Sequence, residues 1–495
     1  MSEPSQEKAR IARGSGAFFT GSALAQAAGI ARNLLVAGLL SPSQLGIWNV
    51  MVMIVGYGKY GDLGLTYGMN KWVPLLRSRG EEQRLRVVRD TTFWATIGIG
   101  CVECLLLIGL SRFLPAQYST ALAVAAVILV VQYVYFYLYL LLRADKRFGL
   151  LSFGITALSV LALCLTPPAI LLSQDRMLGA LVGWLVAYLL TTVYLLWRSG
   201  YRFAWGLNVP DIRQAVGYGA PLVVAALLGS VMLTVDRWVV AATLSAEQLG
   251  YYALGIMVST GLALIPGSVA NVLYPHMLER YGATGDYTAA RGLVLTSMQA
   301  LAAIMVVIEG AVVLAMPLLV RYVLPQYLPS ILLTQILVCG SFFLAVASVP
   351  SNYLVSIDRQ NSVVIWSIVT IAVAAAVDLL MVRLGYGVMG VAVGTAFAYL
   401  FHGVGLILYA LWFALGRSSR VVWELLRVSV PWVLMVALAV GLTLFLTSGT
   451  TFGSCLLWTG VRLLLLGAGM LPVLWVTNRQ TSLLTYVRST LGGRA

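Results

Sequence analysis

Fourteen apolar stretches constrain this chain more than any other feature, because crossing the hydrocarbon core of a bilayer takes about 20 residues of helix. They fall at 17–40, 46–70, 92–111, 118–142, 149–172, 178–197, 215–243, 248–274, 292–320, 328–355, 361–383, 387–415, 422–447 and 455–477. Backbone polar groups in lipid must be satisfied inside the protein, so each stretch is expected as a helix. The expected fold class is therefore all-α, a polytopic membrane protein of about 14 transmembrane helices. Only 10% of the residues are charged and 60% are hydrophobic, against about 25% charged in a soluble protein. A water-soluble globule is excluded. The five cysteines (Cys101, Cys104, Cys164, Cys339 and Cys455) all lie in apolar runs, so no extracellular disulfide framework is readable.

Charge placement orients the spans. Lys8, Arg10 and Arg13 precede about 24 mostly apolar residues, too long for a signal-peptide core, so span 1 is read as retained and entering from the cytoplasm. One side then carries Lys71, Arg77, Arg79, Arg84, Arg86, Arg89, Arg143, Lys146, Arg147, Arg198, Arg202, Arg213, Arg280, Arg291 and Arg359. Arg417, Arg420, Arg427, Arg479, Arg488 and Arg494 lie on that side too. The other side has Arg112, Arg176, Arg321 and Arg383. The positive-inside rule places both termini in the cytoplasm, and the net charge of +14 becomes a matter of topology rather than of nucleic-acid binding. Loops are short and hold no soluble domain, which disfavours a glycosyltransferase or polymerase. The four lysines are followed by Ala9, Tyr60, Trp72 and Arg147, so no phosphate-binding P-loop exists.

The chain repeats itself. Leu40-Ser41-Pro42-Ser43-Gln44-Leu45-Gly46 after span 1 matches Leu244-Ser245-Ala246-Glu247-Gln248-Leu249-Gly250 after span 7, at an offset of 204. Ala144-Asp145-Lys146-Arg147 matches Ile357-Asp358-Arg359-Gln360 at 213, and Gly179 and Gly183 match Gly390 and Gly394 at 211. The copies lie six spans apart, an even number, so they share an orientation across the membrane. The expected domains are an N-lobe at 1–200 (spans 1–6), a C-lobe at 201–416 (spans 7–12), and spans 13–14 with a cytoplasmic tail at 417–495. A basic linker at 198–214 joins two lobes expected to surround a central cavity.

Ionisable groups inside a membrane are expensive and default to function. Span 1 carries Arg32-Asn33, which the offset of 204 maps onto Asp236-Arg237 of span 7. Lys59 and Asp62 of span 2 are three apart, hence on one helical face. Arg32, Lys59 and Arg237 together make a seat for an anionic head group, since guanidinium forks suit phosphate oxygens. Asp62 and Asp236 either tune those cations or bind a coupling Na⁺ or H⁺. The competing structural reading pairs Lys59 with Asp62 and Asp236 with Arg32 as helix glue. Glu309 in span 9 is a proton-carrier candidate, and Glu103, Asp378 and Arg462 are embedded charges without an assigned role. Tyr133 and Tyr137, four apart in span 4, share a face that either stacks on sugar rings or packs internally. His276 and His402 stand too far apart to suggest a metal site, Cys101-x-x-Cys104 lacks matching partners, and Gly390-x-x-x-Gly394 reads as close helix packing.

Local motifs in order carry a family resemblance over about residues 15–477. Leu39-Leu40-Ser41-Pro42-Ser43-Gln44-Leu45-Gly46-Ile47-Trp48 ends span 1, and Asp62-Leu63-Gly64-Leu65 lies in span 2. Gly219-Ala220-Pro221 opens span 7, which closes on Asp236-Arg237, and Tyr274-Pro275 then Gly285-Asp286-Tyr287 follow span 8. Gly387-Val388-Met389-Gly390-Val391-Ala392 starts span 12. The chain resembles the polysaccharide transporter, O-antigen flippase-like family of the multidrug/oligosaccharidyl-lipid/polysaccharide exporter superfamily. That resemblance implies a flippase, not an enzyme, moving an undecaprenyl-diphosphate-linked oligosaccharide across the bacterial cytoplasmic membrane by alternating access. It implies no cofactor beyond a coupling ion. Expected partners are the lipid-linked oligosaccharide, membrane lipid, a polysaccharide polymerase and chain-length machinery. The alternatives are a lipid II flippase, a cation-coupled multidrug antiporter of the same superfamily, or a major-facilitator sugar transporter. The last of these would need a G-x-x-x-D-R-x-G-[RK] loop, where Arg77-Ser78-Arg79-Gly80-Glu81-Glu82 stands instead.

Overall fold

The computed structural model describes residues 3–416, 418–446 and 451–481, and side chains between 20 and 479 within those ranges, Asn271 excepted. Arg417, Arg488 and Arg494, and the side chains of Lys8, Arg10 and Arg13, lie outside the described residues. The elements are α1 (Glu3–Leu39), α2 (Pro42–Gly58), α3 (Leu65–Ser78), α4 (Glu82–Ser111), α5 (Ala116–Ala144), α6 (Phe148–Leu172) and α7 (Arg176–Ser199). Then come α8 (Val209–Met232), α9 (Val235–Thr243), α10 (Ala246–Leu262), α11 (Leu264–Thr284), α12 (Arg291–Val323) and α13 (Ser330–Val346). The chain continues through α14 (Ser348–Ser356), α15 (Gln360–Arg383), α16 (Gly387–Ala414), α17 (Arg420–Phe445) and α18 (Phe452–Thr481). Among the described residues, 13 helical segments are long and apolar enough to cross a membrane. The expected span 2 is not among them, because it is broken into α2 and α3.

Four breaks inside spans escaped the periodicity: 59–64, 233–234, 263 and 347. The first is the sharpest. Leu63 (φ 51°) and Gly64 (φ 89°) both take the left-handed conformation, which costs an L-residue about 1–2 kcal/mol. Asp62 compensates by capping α3, accepting from the Gly64 amide at 2.9 Å, from the Thr66 amide at 3.0 Å and from the Thr66 hydroxyl. A side-chain cap of this kind contributes about 0.5–2 kcal/mol. Gly64 also meets Gly219 of α8 backbone to backbone, leaving no space for a Cβ on either.

Two compact units divide the chain between Ser230 and Val231, within α8. In the first, α5 is the core helix, packed by α2, α3, α4, α6 and α7. In the second, α13 takes that place against α10, α12 and α16, while α17 and α18 lie on α12. Both cores are thus built on the fourth span of a repeat. Outward faces carry exposed Leu105, Leu106, Leu171 and Leu434, as lipid-facing helices do.

The repeat is visible in backbone detail. Ser41 caps α2 by accepting from the Gln44 amide, and Ser245 caps α10 from the Gln248 amide. The turn after the fourth span corrects the sequence alignment by one residue. Lys146 (φ 57°) and Asp358 (φ 60°) hold the same left-handed position, so the offset there is 212 and Asp145 is matched by Ile357, not Asp358. Matching residues is easier by letters than by backbone where both copies contain an acid.

The linker is shorter than the expected 198–214, because Arg198 and Ser199 complete α7 and α8 begins at Val209. Residues 200–208 are strapped to the first unit. Phe203 stacks on Phe93 at 3.8 Å, and the Tyr201 hydroxyl donates to Asp145 at 2.5 Å. The Ala204 amide donates to Asp90 at 3.1 Å, and Trp94 Nε1 to the Ala204 carbonyl at 3.0 Å. Asp145 also pairs with Arg77 of α3 at 2.8 Å.

Candidate functional site

In the first unit Arg32 sits midway along the membrane portion of α1. Its Nε and Nη2 donate to Asn33 Oδ1 at 3.3 and 2.9 Å, so Asn33 positions the guanidinium. The cation lies 5.8 Å from the Trp184 ring centre, and Trp184 packs on Trp48 at 5.4 Å and on Tyr188 at 5.6 Å. Within this unit no carboxylate among the described residues pairs with Arg32. With the Nε–Nη2 edge turned to Asn33, the Nη1 end of the guanidinium is left for phosphate or carboxylate oxygens.

Lys59 and Asp62 do not share a helical face, because α2 ends at Gly58. The Lys59 ammonium lies 4.8 Å over the ring of Tyr60, whose hydroxyl is 2.6 Å from Ser230 Oγ. Asp62 is buried and its oxygens are committed to the α3 cap. The expected Lys59–Asp62 glue pair is therefore absent, and Asp62 is a structural cap rather than a partner for the cations.

Tyr133 and Tyr137 do share a face, and it is closed. They are 1% and 0% exposed, which leaves no ring face for a sugar. The Tyr133 hydroxyl contacts the Gly58 carbonyl and donates to Glu103 at 2.9 Å, bracing the break after α2. Tyr137 donates to the Arg89 carbonyl at 2.6 Å. Their sugar-stacking role gives way to packing.

The second unit presents acids where the first presents a base. Asp236, at the start of α9, is buried. It accepts from the Arg237 amide at 2.8 Å and from the Tyr252 hydroxyl at 2.5 Å, and that hydroxyl also lies 2.9 Å from Thr395 Oγ1. Arg237 turns its Nη2 to the Leu233 carbonyl at 2.7 Å, satisfying an acceptor that the α8–α9 break leaves open. Asp378 of α15 is wholly buried, with neither carboxylate oxygen hydrogen-bonded among the described residues. It lies against Gly394, where a Cβ would strike it, and within electrostatic range of Asp236.

These positions correspond. The offset of 204 pairs Arg32 with Asp236 and Trp48 with Tyr252, and 211 pairs Trp184 with Thr395 and Tyr188 with Tyr399. Gly183 packs on Thr166 as Gly394 packs on Asp378. One duplicated frame thus carries an arginine on aromatic rings in one copy and two carboxylates with hydroxyls in the other. Asp378, Tyr252, Thr395 and Trp184 were not singled out by spacing within any one span. Carrying the repeat offsets through every polar residue finds them.

Glu309 of α12 is buried apart from this frame and receives one hydrogen bond among the described residues, from Ser341 at 3.4 Å. His402 shares a 2.8 Å hydrogen bond with Thr370, and exposed His276 lies 3.7 Å from Glu279. Among the described residues no three His, Cys, Asp or Glu side chains assemble in metal-binding fashion.

A family model described as polysaccharide biosynthesis protein matches residues 35–332. A Shigella flexneri protein named as a candidate O-antigen transporter is 22% identical over 375 residues, spanning 72% of this chain and 86% of that protein. Among solved structures, the lipid II flippase MurJ in an inward closed conformation superposes with a TM-score of 0.68 at 13% identity, covering 91% of this chain and 98% of that one. An inward-facing multidrug resistance MATE family transporter gives 0.59 at 14% identity, with 82% and 94% covered. These likenesses establish the fold as the polytopic helical one those transporters share.

Proposed function

We propose that this chain, which belongs to the family of polysaccharide biosynthesis proteins, is a flippase for a polyprenyl-diphosphate-linked oligosaccharide, with undecaprenol as the expected lipid. It is a multi-pass membrane protein. We place its basic loops and both termini in the cytoplasm on the positive-inside rule. The observation that carries the reading is Arg32, a membrane-embedded guanidinium held by Asn33 and Trp184 with no acid of its own unit paired to it among the described residues. Such a group suits a diphosphate, whose oxygens accept its planar fork. Lys59 in the first unit and Arg237 in the second are the further cations proposed for head-group binding in an alternating-access cycle.

Asp236 and Asp378, with Tyr252 and Thr395, are the proposed coupling site. Their donors are hard oxygens, suited to Na⁺ or a proton, and paired acids inside a membrane commonly serve proton and ion relays. Glu309 is a second proton-carrier candidate. The family match and the Shigella relative support an oligosaccharide substrate over lipid II, which the fold alone would also accommodate.

Complementation of a flippase-deficient strain tests the reading, scored as surface polysaccharide. The wild-type chain is expected to restore it, and Arg32→Ala and Arg237→Ala to abolish it with membrane levels unchanged. Full polysaccharide from both variants would remove the cationic seat.

A further inference from the structure

At the end of the second unit that carries basic loops, α15, α16 and the start of α17 line a groove of about 750 Å³. Trp366 is its floor. The indole lies against Gly405, where any Cβ would strike the ring, and donates to the His402 carbonyl at 3.0 Å. The floor is therefore fixed and its polar atom satisfied. Ile365 and Trp412, 60% and 51% exposed, flank it. The lining here is apolar, as an alkyl chain requires.

Polar groups gather at one end only. Ser362 Oγ lies 3.1 Å from the Tyr409 hydroxyl, and Ser418 Oγ accepts from the Arg420 amide at 3.3 Å. Arg359 precedes Ser362 in the chain, its guanidinium 5.1 Å from the Phe413 ring centre, and Arg420 follows Ser418. Both arginines are exposed, and neither joins an ion pair among the described residues, with Asp358 or any other acid. An apolar trough lined by Ser362, Tyr409 and Ser418, with exposed Arg359 three residues before Ser362 and exposed Arg420 two after Ser418, is complementary to a chain with a phosphate at its head. A neutral lipid or a hydrophobic helix would leave those charges unanswered.

We propose that this groove is a binding site for an anionic glycerophospholipid of the surrounding leaflet, distinct from the transported substrate. One acyl chain lies along Trp366 and Gly405, and the phosphate meets Arg359 and Arg420. Basic pockets between spans are an established way to hold anionic head groups, and the basic side of a membrane protein faces the anionic leaflet.

The test is native mass spectrometry of the purified full chain, titrated with phosphatidylglycerol, phosphatidylcholine and a short-chain polyprenyl diphosphate. Wild type is expected to hold phosphatidylglycerol at least ten-fold more tightly than phosphatidylcholine. The double variant Arg359→Gln/Arg420→Gln is expected to lose roughly 30-fold, about five-fold for each guanidinium. Ile365→Trp, a surface change that fills the groove, is expected to lose both lipids from this site. Size-exclusion profiles verify that the variants remain folded. Equal affinity of wild type for the two phospholipids, or unchanged phosphatidylglycerol binding in either variant, overturns the proposal. Displacement of phosphatidylglycerol by equimolar polyprenyl diphosphate also overturns it, by making the groove a seat for the substrate's tail. So does a change of oligomeric state in Ile365→Trp with lipid binding intact, which would make the groove an interface between copies.

Discussion

Tyr252 donates a 2.5 Å hydrogen bond to Asp236, and the same two positions in the first repeat are Trp48 and Arg32. Duplication supplied one frame, and substitution gave its two copies opposite charge. Under the proposed function, this asymmetry puts Arg32, the principal cargo-binding cation, on one repeat and the proposed coupling acids on the other.

The acidic copy makes the first prediction. Asp236→Asn and Asp378→Asn are each expected to lower transport at least ten-fold and to remove its dependence on a Na⁺ or proton gradient. Transport in inverted vesicles under imposed gradients reads this directly. If Asp378→Asn retains wild-type gradient dependence, the pair is structural.

The basic copy makes the second. Arg32→Lys keeps the charge and loses the planar fork and much of the stacking on Trp184, interactions of about 0.5–2 kcal/mol. Transport is expected to fall roughly two- to thirty-fold, and Trp184→Phe is expected to retain more activity than Trp184→Ala. Binding of a soluble polyprenyl-diphosphate analogue checks both, and an Arg32→Lys variant that binds as wild type would reduce the site to simple charge.

The broken span makes the third. At Gly64 an alanine must adopt φ 89° and enter the Gly219 backbone, an expected loss of about 2–5 kcal/mol from conformation and overlap together. Gly219→Ala meets the overlap alone and is expected to lose less. Gly29 faces open space, so Gly29→Ala serves as the control. Thermal melting in detergent should rank Gly64→Ala lowest, then Gly219→Ala, then Gly29→Ala near wild type.

The strapped linker makes the fourth. Burial, and next the hydrogen bond to Asp145, push the Tyr201 hydroxyl above its ordinary range. The folded state holds that proton more tightly than the unfolded chain. The contribution is therefore whole below about pH 10, the unfolded value, and is lost as pH climbs through the raised folded value. Tyr201→Phe is expected to speed amide exchange across 200–208 at neutral pH, and unchanged exchange would show that Phe203 stacking alone holds the strap.

Span positions were legible in the residues because bilayer thickness dictates length. The breaks were less so. At 59–64 the outcome depends on Asp62 choosing the Gly64 and Thr66 amides over Lys59, a competition that spacing alone decides wrongly. Tyr133 and Tyr137 were correctly placed on one face. Which face is buried cannot be read in a helix that is apolar all round. Asp378 went unassigned because its neighbours, Gly394 and the Asp236 cluster, lie on other helices. Only the repeat joins them.

The central claim is that this chain moves a diphosphate-linked oligosaccharide through a seat that includes Arg32. Proteoliposomes carrying the purified chain and a fluorescent polyprenyl-diphosphate oligosaccharide measure this most directly, by the fraction of label reaching the opposite leaflet. Wild type is expected to translocate the label well above protein-free vesicles, and Arg32→Ala to stay at the protein-free level. Translocation by Arg32→Ala at the wild-type rate, or none by wild type under any ion gradient, would contradict the account.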